Sequence, residues 1–425
     1  MAIVWTDRAG QAAFAPTFTV SAAARYWGNW YGERPPDNRL VNNEVYHCTG
    51  QPGTVYLTDG TFFSANPQKY SGCVFFGEPP DEVPLPADGF VAESAYNATA
   101  LPQDLYLSNV KVVIPDGFTL PKYAHLSFSN CTFDVRGSMT LDSASVDLNG
   151  HFAFAVPGNL VVKGAGTFAA TSAPTNGTDA AEWNDFYGAT VDVGGEFRFE
   201  DTAKLYPGSD LKNGGSVKFS AGRFTLVEGA TVYGKSYGWG HLQYASGNSG
   251  IGPGGSPGAS TGGGAYGGWG GGAGQNKKTY GDKKNPTQPG SEGARSSGSR
   301  TGGYGAGLFH IKVSGRAQID GSIAMDGGDA IGAQGTGGSG GAVNLSCMTL
   351  RGTGTITATG GSGAKDASYG GCGGGGRIAI RAANTNDFTG TVTAYGGENG
   401  YAYPNAATEG SVYWKLQKGL RLIVR

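Results

Sequence analysis

Two groups of acids are the first places to look for chemistry. Asp134, Arg136, Asp142 and Asp147 lie close together along the chain, and Asp320, Asp326 and Asp329 form a second group. A basic residue beside converging carboxylates is what a polysaccharide lyase needs, with Arg or Lys as base and the acids holding calcium. The competing reading is that these aspartates sit in turns, where the short carboxylate bonds nearby backbone. We favour the turn reading, because neither group has the spacing of a known catalytic motif. A carboxylate pair for glycoside hydrolysis has no spacing signature. The five histidines, at 47, 125, 151, 241 and 310, are scattered and form no HExxH pair. His47 beside Cys48 reads as an ordinary strand pair. The string from Gly272 to Thr279 lacks the Gly-Lys-Ser/Thr core of a phosphate loop. The expectation is therefore no catalytic residue, no cofactor and no metal.

Five cysteines remain, at 48, 73, 131, 347 and 372, with no CxxC among them. Cys48 and Cys73 are 25 residues apart, as are Cys347 and Cys372 (48 to 73, 347 to 372). Each pair is a candidate disulfide, against an equal reading as buried free thiols. Aromatics are the better lead. Tyr26, Trp27, Trp30 and Tyr31 cluster in one turn, while Tyr237, Trp239, Tyr266 and Trp269 stand among glycines. An aromatic face with a polar edge suits a sugar ring or a protein interface; the alternative is that they cap or wedge the interior.

The elements that must carry these residues announce themselves by repetition. Gly307-Leu308-Phe309-His310-Ile311 aligns with Gly341-Ala342-Val343-Asn344-Leu345, Gly376-Arg377-Ile378-Ala379-Ile380 and Gly410-Ser411-Val412-Tyr413-Trp414. The anchor glycines are 34, 35 and 34 residues apart (307 to 341, 341 to 376, 376 to 410). A later strand repeats in step, as Ile319 to Met325, Gly354 to Thr359 and Gly390 to Tyr395. Fixed periods of this length mark stacked arrays, in which each unit buries its apolar face against its neighbours. Upstream, short runs such as Leu126-Ser127-Phe128, Val146-Asp147-Leu148 and Phe197-Arg198-Phe199 alternate apolar and polar between turns. We expect an all-β chain almost free of helix. The architecture expected is a parallel β-helix or solenoid-like array of short strands, favoured over a β-sandwich.

Glycine makes up 77 of 425 residues, with 29 before position 251 and 48 after it, and the shift marks a boundary near residue 245. The division expected is an irregular β region at 1–95, a short-strand β-solenoid at 96–244, a Gly-rich low-complexity segment at 245–306, repeats at 307–419 and a terminal strand at 420–425. The glycine runs between repeat strands read as an ordered layer of polyglycine-II-like chains, since only hydrogen projects from such a backbone. Flexible loops are the alternative. Four prolines between Pro79 and Pro86 read as an extended linker. A formal charge of −2 with 15% charged residues gives no electrostatic footprint for nucleic acid. No apolar run is long enough to span a membrane, and residues 1–7 show neither a basic nor an apolar leader segment.

The Gly-rich run at 262–274, with Thr279-Tyr280-Gly281, Pro286-Thr287-Gln288-Pro289-Gly290-Ser291 and Gly302-Gly303, resembles a Gly-rich repeat module of large bacterial extracellular, autotransporter-like surface proteins. The phrases Gly-Thr-Ile-Thr-Ala-x-Gly-Gly and Gly-Gly-Gly-Gly-Arg-Ile-Ala-Ile are similar to the same module, and the resemblance covers residues 230–418. It implies extracellular repetitive β-structure with structural or adhesive duty and no active site. A looser resemblance is to the polyglycine-sandwich tips of phage tail adhesins. The short apolar segments at either end, with Ile3, Val4 and Trp5 and with Leu420, Leu422, Ile423 and Val424, are candidate assembly strands. The functional expectation is a non-enzymatic extracellular or cell-surface protein whose partner is itself, forming a fibre or filament. A glycan-binding adhesin or tail-tip protein is the alternative, and a polysaccharide lyase or hydrolase ranks below both.

Overall fold

The computed structural model describes residues 73–75, 90–91, 104–108, 111–114, 116–120, 122–172, 188–211, 214–240, 249–257, 262–294, 302–330, 335–364, 370–400 and 405–416. Within them the chain is all β-structure, without a helix. Two short strands come first, β1 (Cys73–Phe75) and β2 (Phe90–Val91). The strands then come in threes: β3 (Asp104–Ser108), β4 (Lys111–Ile114), β5 (Phe118–Leu120); β6 (His125–Ser129), β7 (Thr132–Val135), β8 (Met139–Asp142); β9 (Ser145–Gly150), β10 (Phe152–Val156), β11 (Leu160–Lys163). Further on, the second and third members fuse into one long strand: β12 (Thr167–Ser172) with β13 (Ala189–Phe199), and β14 (Lys204–Ser209) with β15 (Val217–Leu226). Then follow β16 (Thr231–Tyr233), β17 (Leu308–Val313), β18 (Arg316–Ile319); β19 (Ser322–Ala324), β20 (Ala342–Gly352); β21 (Thr355–Thr357), β22 (Arg377–Phe388); β23 (Thr391–Thr393) and β24 (Ser411–Leu416).

Each strand pairs with its counterpart one triplet away. An eleven-stranded sheet runs β24-β22-β20-β17-β15-β13-β11-β8-β5 with β10 and β18 alongside, and a nine-stranded sheet runs β23-β21-β19-β16-β14-β12-β9-β6-β3. A four-stranded sheet has the order β2-β1-β4-β7. The ladders are parallel, for example Leu308↔Ala342, Ala342↔Arg377 and Arg377↔Ser411. That pairing joins the anchors of the 34-residue period, and it departs from the antiparallel ladders of a β-sandwich. The composition shift near residue 245 does not interrupt the sheets: β15 pairs directly with β17, and β16 with β19, across the Gly-rich segment.

Burial alternates with period two, as in β10, whose Phe152, Phe154 and Val156 are buried while Ala153 and Ala155 are exposed. The buried rows stack from strand to strand. Phe128, Phe133, Phe154, Phe168 and Phe197 follow one another at ring separations of 5.3, 5.0, 5.8 and 6.0 Å. Phe219 and Phe224 carry the ladder on to Phe309, at 5.5 and 5.7 Å. Beyond Phe309 the buried rows turn aliphatic, with Ile311, Leu345, Ile356, Ile378 and Ile380.

Between the strands lie glycine segments that belong to no strand yet are hydrogen-bonded to one another. Gly264 N–H donates to the Gly337 carbonyl at 2.9 Å, and Gly374 N–H to the Gly264 carbonyl at 2.9 Å. Gly361 N–H donates to Gly338, Gly373 N–H to Gly361 and Gly397 N–H to Gly373, each at 2.8 Å. A Cβ on Gly338 would stand 2.0 Å from the Tyr304 carbonyl oxygen, and one on Gly361 would stand 1.9 Å from that of Gly328. Glycine is required there because the backbones touch.

Candidate functional site

The corners between strands hold the acids. Asp320, Asp326 and Asp329 each accept a backbone N–H from the next triplet: Thr353 at 3.2 Å, Thr359 at 2.8 Å and Ser362 at 2.8 Å. Each of those donors lies 33 residues downstream. Gln318 Nε2 donates to Asp320, Thr357 Oγ1 to Asp326, and Lys235 Nζ lies 2.7 Å from Asp329. Burial pushes the Asp329 carboxyl up, but the hydrogen bonds and charge of Lys235 and the Ser362 bonds outweigh it and hold the group below its ordinary range. The same device runs along the earlier corners, where Ser138, Asn159 and Glu196 N–H groups donate to Asp116, Ser138 and Asn159 side chains. These side chains therefore tie one triplet to its neighbour, where the simplest turn reading has them bonding their own loop.

The first acidic group is dispersed in the same way. Asp134 lies 3.4 Å from Arg136, Asp142 3.5 Å from Lys163, and Asp147 2.7 Å from His125. Among the described residues no three His, Cys, Asp or Glu side chains gather as a metal site. His310 is half-buried, and burial with Lys218 and Arg381 nearby lowers its pKa to about 4. His47 and His241 lie outside the described residues.

The cysteine expectation is corrected at one pair. Cys347 and Cys372 are both buried and free. Their 25-residue separation does not bring them together, because Cys347 lies in β20 while Cys372 lies in the glycine segments, its Sγ 2.8 Å from Asn399 Oδ1. Burial pushes the Cys347 thiol up to about 12 and raises that of Cys372. Cys131 Sγ donates to the Ser129 carbonyl at 3.6 Å. Cys48 and the side chain of Cys73 lie outside the described residues, as do Tyr26, Trp27, Trp30, Tyr31, Ile3, Val4, Trp5, Leu420, Leu422, Ile423 and Val424.

The two glycine-flanked tryptophans part company. Trp239 is 3% exposed, its ring pressed where a Gly214 side chain would be, so it offers no face to a sugar. Trp269 is 37% exposed, with Lys277 Nζ 4.8 Å from the ring centre. Tyr237 packs at a tilt on Tyr206 and edge-on against Tyr233, and Tyr266 is buried against Tyr280 at 4.4 Å.

Sequence reasoning missed the strap formed by residues 277–289, which crosses the outer face of the eleven-stranded sheet. Arg377 Nε donates to the Tyr280 carbonyl at 2.8 Å while its guanidinium lies 5.4 Å from the Tyr266 ring. Asn344 Nδ2 donates to Asn285 Oδ1 at 3.0 Å and to the Pro286 carbonyl at 2.8 Å. Arg381 donates to the Lys284 carbonyl and to Asn344 Oδ1. Tyr280 Oη donates to the Pro289 carbonyl at 2.5 Å and accepts from Ser291 Oγ at 2.8 Å; burial and Tyr266 raise its pKa well above the usual phenol value. Each position five residues after an anchor glycine faces outward beside this strap, in the register Lys312↔Ser346↔Arg381↔Lys415. Counting from the glycines would have found that row.

At the last described strand the inward rows become exposed. Ile311↔Leu345↔Ile380↔Trp414 is one register, yet Trp414 is 42% exposed; its neighbours Val412 and Leu416 are 41% and 50% exposed. Among the described residues β24 and β23 are the outermost strands of their sheets.

No family model, curated protein or solved structure matches the chain.

Proposed function

We propose that this chain is a non-enzymatic structural protein of the cell exterior, a self-associating subunit that builds fibres or filaments. In this reading the three sheets wind as a parallel β-helix, and the hydrogen-bonded glycine segments form a polyglycine-II-like layer beside it. The observation that carries the proposal is β24, where Val412, Trp414 and Leu416 continue buried rows and are themselves exposed. A strand edge with an apolar inner row is a template for another strand, and a second copy of the chain adding there gives an open filament. The dispersal of the acids into separate pairs supports a scaffold over an enzyme.

The test is sedimentation velocity and negative-stain microscopy across a concentration series, on the full chain and on Trp414→Lys. Polymers that grow with concentration and vanish in Trp414→Lys, with the circular dichroism unchanged, support the reading. Discrete particles at every concentration, or polymers indifferent to the substitution, overturn it. A second reading, a glycan-binding adhesin or phage tail-tip protein, has one observation in its favour: the part-exposed Trp269 ring with Lys277 beside it.

A further inference from the structure

The outer face of the eleven-stranded sheet changes character toward β24. Two neighbouring outward rows run across it. One is Lys218, His310, Asn344, Ala379 and Tyr413, of which Asn344 and Ala379 are buried; the other is Ser220, Lys312, Ser346, Arg381 and Lys415. Lys218, Lys312 and Lys415 are exposed. Arg377 lies on the same face, two residues before Ala379, and the strap adds exposed Lys283 and Lys284, the latter 6.0 Å from the Tyr413 ring. Arg377 and Arg381 spend their hydrogen bonds on carbonyl, amide and hydroxyl oxygens, and neither has a carboxylate partner among the described residues. The acids nearby are few. Asp282, in the strap, accepts the Lys284 N–H at 2.7 Å, and Asp192 closes the second row on its N-terminal side through Ser220. The lowered pKa of His310 comes first from its burial, with Lys218 and Arg381 adding to it. In a chain of formal charge −2, this is a strongly one-sided concentration of cations.

We propose that this face binds a linear acidic polysaccharide, whose carboxylates meet Lys218, Lys312, Arg381 and Lys415 while a sugar ring lies against Tyr413. Neighbouring parallel strands are about 4.8 Å apart, so the row offers at most one cation per strand step. Duplex DNA presents a negative charge about every 1.7 Å, roughly three per step, and would leave most of its phosphates unmatched. A polymer with one carboxylate per sugar has a charge density closer to that of the wall. The proposal stands apart from self-association: it uses the face of the sheet, where assembly uses its edge.

The experiment is isothermal titration of the full chain with polygalacturonate fragments, with uncharged dextran and duplex DNA as comparators. The variant is Lys312→Gln with Lys415→Gln, both at exposed positions, and the control is Lys122→Gln with Lys204→Gln on distant strands and turns. Melting curves verify that both remain folded. We expect polygalacturonate binding that weakens with salt, no binding of dextran, and DNA binding at least tenfold weaker. The Lys312/Lys415 variant should bind polygalacturonate at least tenfold more weakly, and the control within twofold of the parent. Absence of binding, equal losses in both variants, a variant that binds like the parent, dextran binding of similar strength or DNA binding as tight as polygalacturonate would each overturn it.

Discussion

In the strand wall, an interior strand such as β20 hydrogen-bonds to the strands on either side and leaves its two faces to side chains. In the glycine segments one short stretch reaches many others: residues 263–268 bond to carbonyls of Gly271, Gly337, Gly254 and Gly375, and accept from Gly374. The wall is held by apolar area removed from water, which tolerates exchange of one hydrophobe for another of similar volume. The glycine layer buries some side chains, among them Tyr266, Cys372 and Glu292, but where its backbones approach one another it tolerates nothing larger than hydrogen. Two regions of one chain thus obey opposite substitution rules, and the difference lies in what occupies the space between backbones.

The wall should give the largest effect. Phe197 contacts Phe168, Phe199, Phe219 and Phe224, and Phe197→Ala should cost roughly 3–5 kcal/mol in urea unfolding. In the layer, Gly338→Ala drives a methyl against the Tyr304 carbonyl and should cost roughly 1–3 kcal/mol or more. A neutral Gly338→Ala would erase the contrast between the regions, because the layer would then have slack.

Proton linkage sharpens the comparison, since the wall half-buries a base and the layer buries an acid. In the wall, His310 is held near 4, below its ordinary 6.5. Its contribution to stability is full above 6.5 and is lost as pH falls through about 4. In the layer, Glu292 is raised well above its ordinary 4.5 by burial, although it accepts the Ile251 N–H. Its contribution is full below 4.5 and is lost as pH rises through the folded value. Melting temperatures should therefore fall less on acidification from pH 6.5 to 4 in His310→Gln than in the parent. Above pH 4.5 they should fall less with rising pH in Glu292→Gln. Slopes matching the parent in both variants would mean that neither group is buried as described. The smallest effect belongs to the corners: Asp326→Ala removes two bonds to the next triplet and should cost about 1 kcal/mol, read by the same urea titration.

Much of the wall was legible because its period is written twice, in the anchor glycines and in the alternation of apolar residues. The register Leu308↔Ala342↔Arg377↔Ser411 is the alignment of the repeat itself. Phe197-Arg198-Phe199 reads as a short strand of its own, whereas it is the second half of β13, joined to the first through a bulge between Val193 and Glu196; Gly194 and Gly195 look like a turn in sequence. The candidate site was less legible. Trp239 and Trp269 have similar glycine neighbours, and their fates diverge because of Gly214 and Lys277. The cationic row was hidden because one of its four members is Ser346, and because the strap that frames it arrives from a segment of low complexity. Contacts made by residues about 100 apart, such as Arg377 with Tyr280, leave no local pattern.

The glycine segment after β16 bypasses the order of the stack. Gly268 N–H donates to Gly375, Gly272 N–H to Asn405, and Thr408 N–H to the Trp269 carbonyl, so this stretch is fastened to segments that lie more than 100 residues further on. Strands joined only to their neighbours would peel away one at a time under tension applied at the C-terminal side. Here the outermost strands cannot leave until the fastening to residues 268–272 gives way, and once it does, several triplets lose their restraint together. Pulled in an optical trap, the chain should extend in one long rip where a simple stack would yield a sawtooth of short, equal steps.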